Sequence, residues 1–217
     1  MSGRDTHPFF DMHTHGFVRV ATGTPKVRTA DVAHNAEGIL ETARAAHDRH
    51  VDLLLYPELA LSSYAVDDLH LQVALLDAVE AEIARIVEVS RELDPVLVFG
   101  APLRRNGRIY NCAVVVARGE VLGVVPKSFL PNYREYYEKR WFAPATARAE
   151  DVIRLNGETV DFAPGLVFEA VNRPGFVFAV EICEDYWAPL PPSTRAALAD
   201  LSVPVTHLRR RSRAFDL

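Results

Sequence analysis

The sequence has few cysteines and no long apolar segment, and both shortages limit the classes of protein to which it can belong. Only two cysteines, Cys112 and Cys183, occur in 217 residues, so a disulfide framework is not indicated and a reducing compartment is expected. No apolar run approaches the roughly 20 residues of a membrane span. The N-terminal MSGRDTHPFF lacks the charged start and apolar stretch of a signal peptide. These absences predict a cytoplasmic globular protein without a membrane partner.

An excess of positive charge is also missing. The formal net charge is −5, so a nucleic-acid partner is not expected. The local exception is a short basic stretch near the end of the chain, Arg209, Arg210, Arg211 and Arg213. Apolar residues make up 49% of the sequence, which is enough for one domain with a substantial core.

The spacing of apolar residues predicts an α/β domain with a mixed sheet. Strands are predicted at residues 17–21, 51–56, 96–100, 109–117, 121–125 and 176–183. Helices are predicted after a capping Thr29, over residues 69–93 and over residues 193–201. The apolar face of the first helix comprises Val32, Ala36, Ile39, Leu40, Ala43 and Ala46. Residues 143–174 are expected to be rich in loops because of their prolines.

Three polar residues share one position relative to these strands. Glu58 follows VDLLLYP, Lys127 follows VLGVVP, and Cys183 closes FVFAVEI. Each of them alone reads most simply as the start of a solvated loop, and a lone cysteine usually packs in a core. Together they matter more, because sites in α/β sheets assemble at the carboxyl ends of strands.

The chemistry of a cysteine nucleophile explains why these three residue types belong together. Only the thiolate attacks well, and a free thiol is mostly protonated near neutral pH. Nearby Glu181, Glu184 and Asp185 would raise the thiol pKa further. A base such as Glu58 can take the proton, and a cation such as Lys127 can stabilise an oxyanion. Cys112 has no such neighbours in the sequence and is predicted to be a core residue.

Three segments resemble the signature segments of the carbon–nitrogen hydrolase (nitrilase) superfamily. They are LLLYPELALSSY (53–64), GVVPKSFLPNYREYYEKRWF (123–142) and VEICEDYW (180–187). Residues 15–21, 95–128 and 175–185 more closely resemble the glutaminase domain of bacterial glutamine-dependent NAD synthetases. The resemblance implies a four-layer α-β-β-α sandwich over residues 15–198, preceded by an unstructured or extended segment at residues 1–14.

The resemblance also implies a role for each site residue. Glu58 would be the general base, Lys127 the electrostatic stabiliser and Cys183 the nucleophile that forms a thioester. Glu135 resembles a second glutamate near the site. The side chains expected around a bound glutamine or other small amide are Tyr64, Tyr133 and Glu184, although the two tyrosines fit packing equally well. The step needs no metal or other cofactor, and the resemblance implies a homo-oligomer.

Two departures from the family bear on function. The synthetase part that uses ATP and Mg²⁺ has no counterpart, and the sequence contains no glycine-rich phosphate loop. A separate synthetase chain is therefore an expected partner for the released ammonia. In addition, residues 199–217 form a divergent basic tail where the family continues with further strands. We therefore expect a truncated or frameshifted domain that lacks its C-terminal strands and leaves a sheet edge uncovered.

Three alternatives to glutamine hydrolysis remain at the level of the sequence. The chain could be an inactive remnant or interaction module, or a stand-alone amidase of other specificity. The third alternative is a metal hydrolase, because DMHTHG at residues 11–16 resembles the entry motif of amidohydrolases, in which paired histidines bind zinc. That motif lacks a convincing preceding strand, and the chain is short for the β/α barrel that carries it.

Overall fold

The computed structural model describes residues 7–145, 152–173, 175–200 and 212–215. Its strands are β1 (Val20–Thr22), β2 (Leu53–Leu55), β3 (Val96–Arg105), β4 (Arg108–Ala117), β5 (Glu120–Pro126), β6 (Val152–Leu155), β7 (Glu158–Asp161), β8 (Val167–Ala170), β9 (Val177–Ala179) and β10 (Ser212–Phe215). Its helices are α1 (Val32–His47), α2 (Val73–Ser90), α3 (Glu184–Trp187) and α4 (Pro192–Asp200). Short 3-10 helices lie at Pro8–Phe10, Met12–His15, Asp67–Leu71 and Glu138–Arg140.

The central layer is a five-stranded mixed sheet in the order β1-β2-β3-β4-β5. The first three strands are parallel, and β3, β4 and β5 are antiparallel. Arg118 and Gly119 form the predicted tight turn between β4 and β5, both with positive φ. The mixed α/β sheet expected from the sequence is therefore confirmed.

Helices α1 and α2 cover one face of this sheet. The six residues predicted for the apolar face of α1 are all buried in the main core cluster. The predicted cap was wrong, because the Asp31 side chain, and not Thr29, accepts the free N–H of His34 at the helix start. The predicted helix over residues 69–93 is divided, because Gln72 is extended between a 3-10 turn and α2.

A smaller sheet in the order β10-β8-β9 belongs to the second layer of strands. Side chains from β8 and from the segment after β9 pack with the second face of β3 and β4, through Val98, Val115, Phe168 and Ile182. Helix α4 contacts β9. Residues 152–170 were expected to be a loop region, and the structure corrects this with three short strands. Asn156 and Gly157 both have positive φ between β6 and β7, as a type I′ hairpin turn requires.

Short regular elements also lie near both ends of the described chain. Two 3-10 turns precede β1, and the imidazole of His13 in the second turn bridges Asp11 and the largely buried Asp52. In the tail, residues 212–215 pair with β8 in parallel. The basic residues 209–211 lie outside the described residues. Within the described chain, no helix has the length and apolar character of a membrane-crossing span.

Gly100 in β3 allows the chain after β2 to pass close to the sheet. A Cβ atom built on Gly100 would lie 2.1 Å from the backbone nitrogen of Leu59 and 2.7 Å from the carbonyl carbon of Glu58. Both contacts are with backbone, so a side chain here could be accommodated only by moving the segment that carries Glu58. The absence of a side chain at Gly100 therefore fixes where Glu58 lies.

We expect Gly100→Ala to destabilise the protein by about 1–3 kcal/mol, because the added methyl group displaces this backbone. The free energy of unfolding from urea titration measures the effect. Gly165→Ala is the matched control, because a Cβ built there meets nothing within 4 Å. Equal stability of the two variants would contradict the proposed close approach.

Candidate active site

The three predicted catalytic residues come together at one end of the central sheet. Glu58 lies in the loop that follows β2, where Leu59 and Ser63 both adopt positive φ values, 51° and 71°. Such values are uncommon for residues with side chains and indicate a loop held in place by its surroundings. Its fixed shape carries the Glu58 carboxylate back over the sheet, where 18% of the side chain remains exposed.

Lys127 directly follows β5, and its side chain is completely buried. Its backbone N–H donates to the carbonyl oxygen of Asn111 at 2.8 Å, which extends the pairing of β4 and β5 by one bond. Its ammonium donates to Glu58 Oε1 at 2.7 Å and to Glu138 Oε1 at 2.9 Å. An ammonium has three N–H donors, and among the described residues two acceptors are found, which leaves one donor for a further acceptor.

Cys183 occupies the turn between β9 and α3, and its backbone is strained. Its φ of 48° and ψ of −101° fall outside the regions that residues with side chains normally adopt. The residue is exposed, and its thiol is close enough to the Glu58 carboxylate for the two to interact. A strained, accessible cysteine next to a carboxylate is a suitable geometry for a nucleophile.

Asp185 ties the cysteine turn to the end of β5. Its carboxylate is 1% exposed and accepts backbone N–H groups from Ser128 at 3.0 Å, Phe129 at 2.8 Å and Ile182 at 3.2 Å. The first two residues follow Lys127 directly, and the third precedes Cys183. One buried carboxylate therefore holds the segments of the cation and the thiol together. The sequence alone predicts for Asp185 no more than a negative charge near the thiol.

The second glutamate of the site is Glu138, which the sequence analysis did not select. It is fully buried, and its Oε1 accepts from both Lys127 and the Tyr64 hydroxyl, the latter at 2.7 Å. Glu135 is exposed, and the structure gives it no contact with these residues among the described side chains. The role of Glu135 near the site stays a prediction. A signal was present, since buried Trp141 and Phe142 lie three and four positions after Glu138 and share its side of a helical turn.

The residues expected to contact the substrate lie in two places, one inside the buried cluster and one at its rim. Tyr64 is partly buried and belongs to the cluster through its bond to Glu138. Tyr133 is 52% exposed and donates its hydroxyl proton to Glu184 Oε2 at 2.9 Å. Glu184 directly follows Cys183, so the Tyr133–Glu184 pair lies at the rim beside the thiol. A pocket of about 210 Å³ also opens next to Cys183, between Glu58, Gly100 and Ile182.

Burial and neighbouring charges together shift the pKa values of Cys183, Glu138 and Lys127. Burial, and next the Glu58 charge, raise the pKa of the Cys183 thiol, while the Lys127 charge lowers it. Burial also raises the pKa of Glu138 against the opposing effect of Lys127. For Lys127, burial lowers the pKa, but the two carboxylates outweigh it and the net shift is upward. The resting cluster therefore pairs a neutral thiol with a charged lysine.

The histidine motif near the N-terminus does not form a comparable centre. His13 is bound to two aspartates, and His15 Nε2 lies 2.8 Å from the carbonyl oxygen of Phe9. Within the described ranges, no three His, Cys, Asp or Glu side chains group closely enough to hold a metal ion. Cys112 is fully buried in the main core cluster, as predicted.

We expect Lys127→Met to destabilise the protein by about 3–5 kcal/mol at pH 7, because two facing carboxylates lose the cation between them. Without the cation, burial and mutual repulsion raise the pKa of one carboxyl group above its value in the unfolded chain, so that group binds a proton in the folded state as the pH falls. The loss should therefore be smaller at pH 5 than at pH 7. Urea unfolding at both pH values measures it, and a loss that does not depend on pH would contradict the buried pairing.

We expect Glu58→Gln to make Cys183 react with iodoacetamide at lower pH, by about one pH unit, because removing a neighbouring negative charge favours the thiolate. Peptide mass spectrometry distinguishes Cys183 from Cys112. The control is Glu135→Gln, which removes an exposed charge outside the cluster. The assignment of Glu58 as the neighbour of the thiol fails if the two variants give the same profile.

Comparisons with known proteins agree with this geometry. Residues 18–206 match the family model for carbon-nitrogen hydrolase. The glutamine-dependent NAD(+) synthetase of Mycobacterium tuberculosis H37Rv is 52% identical over 195 residues, which are 90% of this chain and 29% of that protein. The chain thus spans under a third of the length of this relative.

Solved structures show the same likeness. A glutamine-dependent NAD+ synthetase from Acinetobacter baumannii is 31% identical with a TM-score of 0.66, over 85% of this chain and 30% of that one. An amidase from Nesterenkonia sp. AN1, in complex with butyramide, is 26% identical with a TM-score of 0.54, over 67% of this chain and 55% of that one. The resemblance found in the sequence is confirmed: the chain belongs to the carbon–nitrogen hydrolase family.

Proposed function

We propose that the chain hydrolyses the side-chain amide of glutamine to glutamate and ammonia through a thioester on Cys183. The observation that carries the proposal is the buried Lys127 ammonium, which is shared by Glu58 and Glu138 and lies beside a strained, exposed cysteine. This cluster contains a nucleophile, a base and a fixed positive charge. Acyl transfer from an amide requires these three components.

In the first half of the reaction, Glu58 takes the proton from the Cys183 thiol as sulfur attacks the amide carbon. The carbonyl oxygen becomes an oxyanion, and the third N–H of Lys127 donates to it. The protonated Glu58 then gives its proton to the leaving nitrogen. The C–N bond breaks, ammonia departs, and the acyl group remains on sulfur as a thioester.

In the second half, water takes the place of ammonia. Glu58 accepts a proton from the water as its oxygen attacks the thioester carbon, and the Lys127 ammonium again stabilises the oxyanion. The C–S bond breaks, glutamate leaves, and the proton returns from Glu58 to the thiolate. The raised pKa of the Cys183 thiol suits this cycle, because the resting thiol keeps the proton that Glu58 must transfer.

Glutamine is the proposed substrate because the relatives are glutamine-dependent synthetases and because the rim carries suitable groups. Glu184 presents a carboxylate beside the thiol and can pair with the α-ammonium group of glutamine. Tyr133 holds that carboxylate through its hydroxyl. Tyr64 positions Glu138 behind the reacting amide. These three contacts are part of the proposal.

The released ammonia would serve the synthesis of NAD from deamido-NAD. That step belongs to a synthetase part, with its own ATP and Mg²⁺, which we propose acts together with this domain. The relatives named above are synthetases that extend well beyond the matched region. We also propose that the protein forms a homo-oligomer. A location in the cytoplasm is part of the same proposal, because a free thiol nucleophile requires reducing conditions.

We expect purified protein to release ammonia from glutamine and Cys183→Ala to release none, because the nucleophile is lost. A coupled glutamate dehydrogenase assay measures the ammonia. Cys112→Ala is the matched control, since it removes the other thiol, which lies in the core, and it should remain active. Mass spectrometry of protein quenched with acid should show the acyl adduct on the peptide that contains Cys183.

A panel of other amides, including butyramide, separates the alternatives. Turnover of aliphatic amides without turnover of glutamine would replace glutaminase with amidase activity. If the wild-type protein hydrolyses none of these amides and no adduct forms on Cys183, the chain is an inactive remnant or an interaction module.

A further inference from the structure

Asn111 is a buried amide that contacts both ends of the catalytic pair. It lies in β4 and is completely buried. Its side-chain Nδ2 donates to Glu58 Oε1 at 2.6 Å. Its backbone carbonyl accepts the N–H of Lys127 at 2.8 Å. One residue thus fixes the carboxylate through its side chain and the start of the lysine through its backbone.

These contacts give the two carboxylate oxygens of Glu58 different roles. Oε1 already accepts from Lys127 Nζ at 2.7 Å and from Asn111 Nδ2 at 2.6 Å. A carboxylate oxygen has two lone pairs in its plane, so Oε1 has no good site for another proton. Oε2 is the oxygen that remains for the thiol.

Building on the function proposed above, we infer that Asn111 is a positioning residue that makes Glu58 Oε2 the atom that accepts the thiol proton. In this step the S–H bond of Cys183 breaks and an O–H bond forms on Oε2. Oε1 keeps its two donors throughout, so the carboxyl group does not rotate when it becomes neutral. The same orientation then presents the proton to the leaving nitrogen.

The arrangement has a cost that packing alone does not explain. Asn111 Oδ1 is buried without a hydrogen-bond partner among the described residues. Leaving a buried polar atom unpaired destabilises the folded state, because the atom loses its hydrogen bonds to water. An apolar side chain at this position would avoid that cost and would also remove the donor to Glu58. The hydrogen bond from Asn111 to the Glu58 carboxylate therefore explains why an amide side chain occupies this buried position.

The decisive variant is Asn111→Asp, which keeps the shape and replaces the donor with a carboxyl group. Two carboxyl groups at this separation cannot both ionise readily, so they hold one proton between them to higher pH. We expect the acid limb of the kcat/KM profile for glutamine to move up by about one pH unit or more. If Asn111 had only a structural role, the substitution would lower kcat/KM by the same factor at every pH. The midpoint of the acid limb would then not move.

Asn111→Ser and Ser90→Ala provide the second comparison. We expect Asn111→Ser to lower kcat about tenfold or more with little change in KM, because the base loses its orientation and not its substrate. Ser90→Ala removes a comparably buried hydrogen-bond donor in α2 and should change only stability. If Asn111→Asp does not fold, as judged by circular dichroism, Asn111→Ser decides the question. Wild-type kcat in Asn111→Ser would overturn the inference.

Iodoacetamide labelling of Cys183 separates this inference from the proposed function, because it needs no substrate. We expect Asn111→Asp to move the labelling profile to higher pH, opposite to Glu58→Gln. If Glu58→Gln leaves the labelling profile unchanged, Glu58 is not the general base for Cys183 and the proposed function fails. If Glu58→Gln moves the profile but Asn111→Asp does not, only the role of Asn111 fails.

Discussion

The rest of the site depends on one buried ammonium group. Lys127 has no exposed surface and lies between Glu58 and Glu138. Desolvating three charges is costly, and the pairing repays the cost only when each partner is held at short distance. Gly100, Asn111 and Tyr64 supply that precision from the sheet and its loops. The buried ammonium and its two carboxylates are therefore held by residues of the sheet and of its loops.

The thiol is held differently from the charges. Cys183 is exposed and belongs to a turn, not to a regular element. Asp185 connects that turn to the exit of β5 through three backbone hydrogen bonds. Cys183 therefore keeps a fixed position relative to Lys127, although the strand before it, β9, has only three residues. One buried carboxylate thus determines where the thiol lies relative to the buried ammonium.

Much of this arrangement could be predicted from the sequence, and the failures have physical reasons. The long strands and the apolar face of α1 follow from periodicity alone, and the positions of Glu58, Lys127 and Cys183 follow from strand ends. The short strands of residues 152–170 were missed because four-residue strands give little periodicity, although Asn156-Gly157 was a usable turn signal. Glu138, Asn111 and Asp185 were missed because their importance arises from contacts between distant segments.

The order of the segments along the chain has a consequence for synthesis on the ribosome. Glu58 and Lys127 are 69 positions apart, and Cys183 follows both. Translation proceeds from the N-terminus, and domains begin to fold as they emerge. All three charged residues of the buried cluster, Glu58, Lys127 and Glu138, are thus synthesised before Cys183. The sulfur of Cys183 therefore emerges after Glu58, Lys127 and Glu138, and its turn can be tied to the exit of β5 only when Asp185, two residues later, has also emerged.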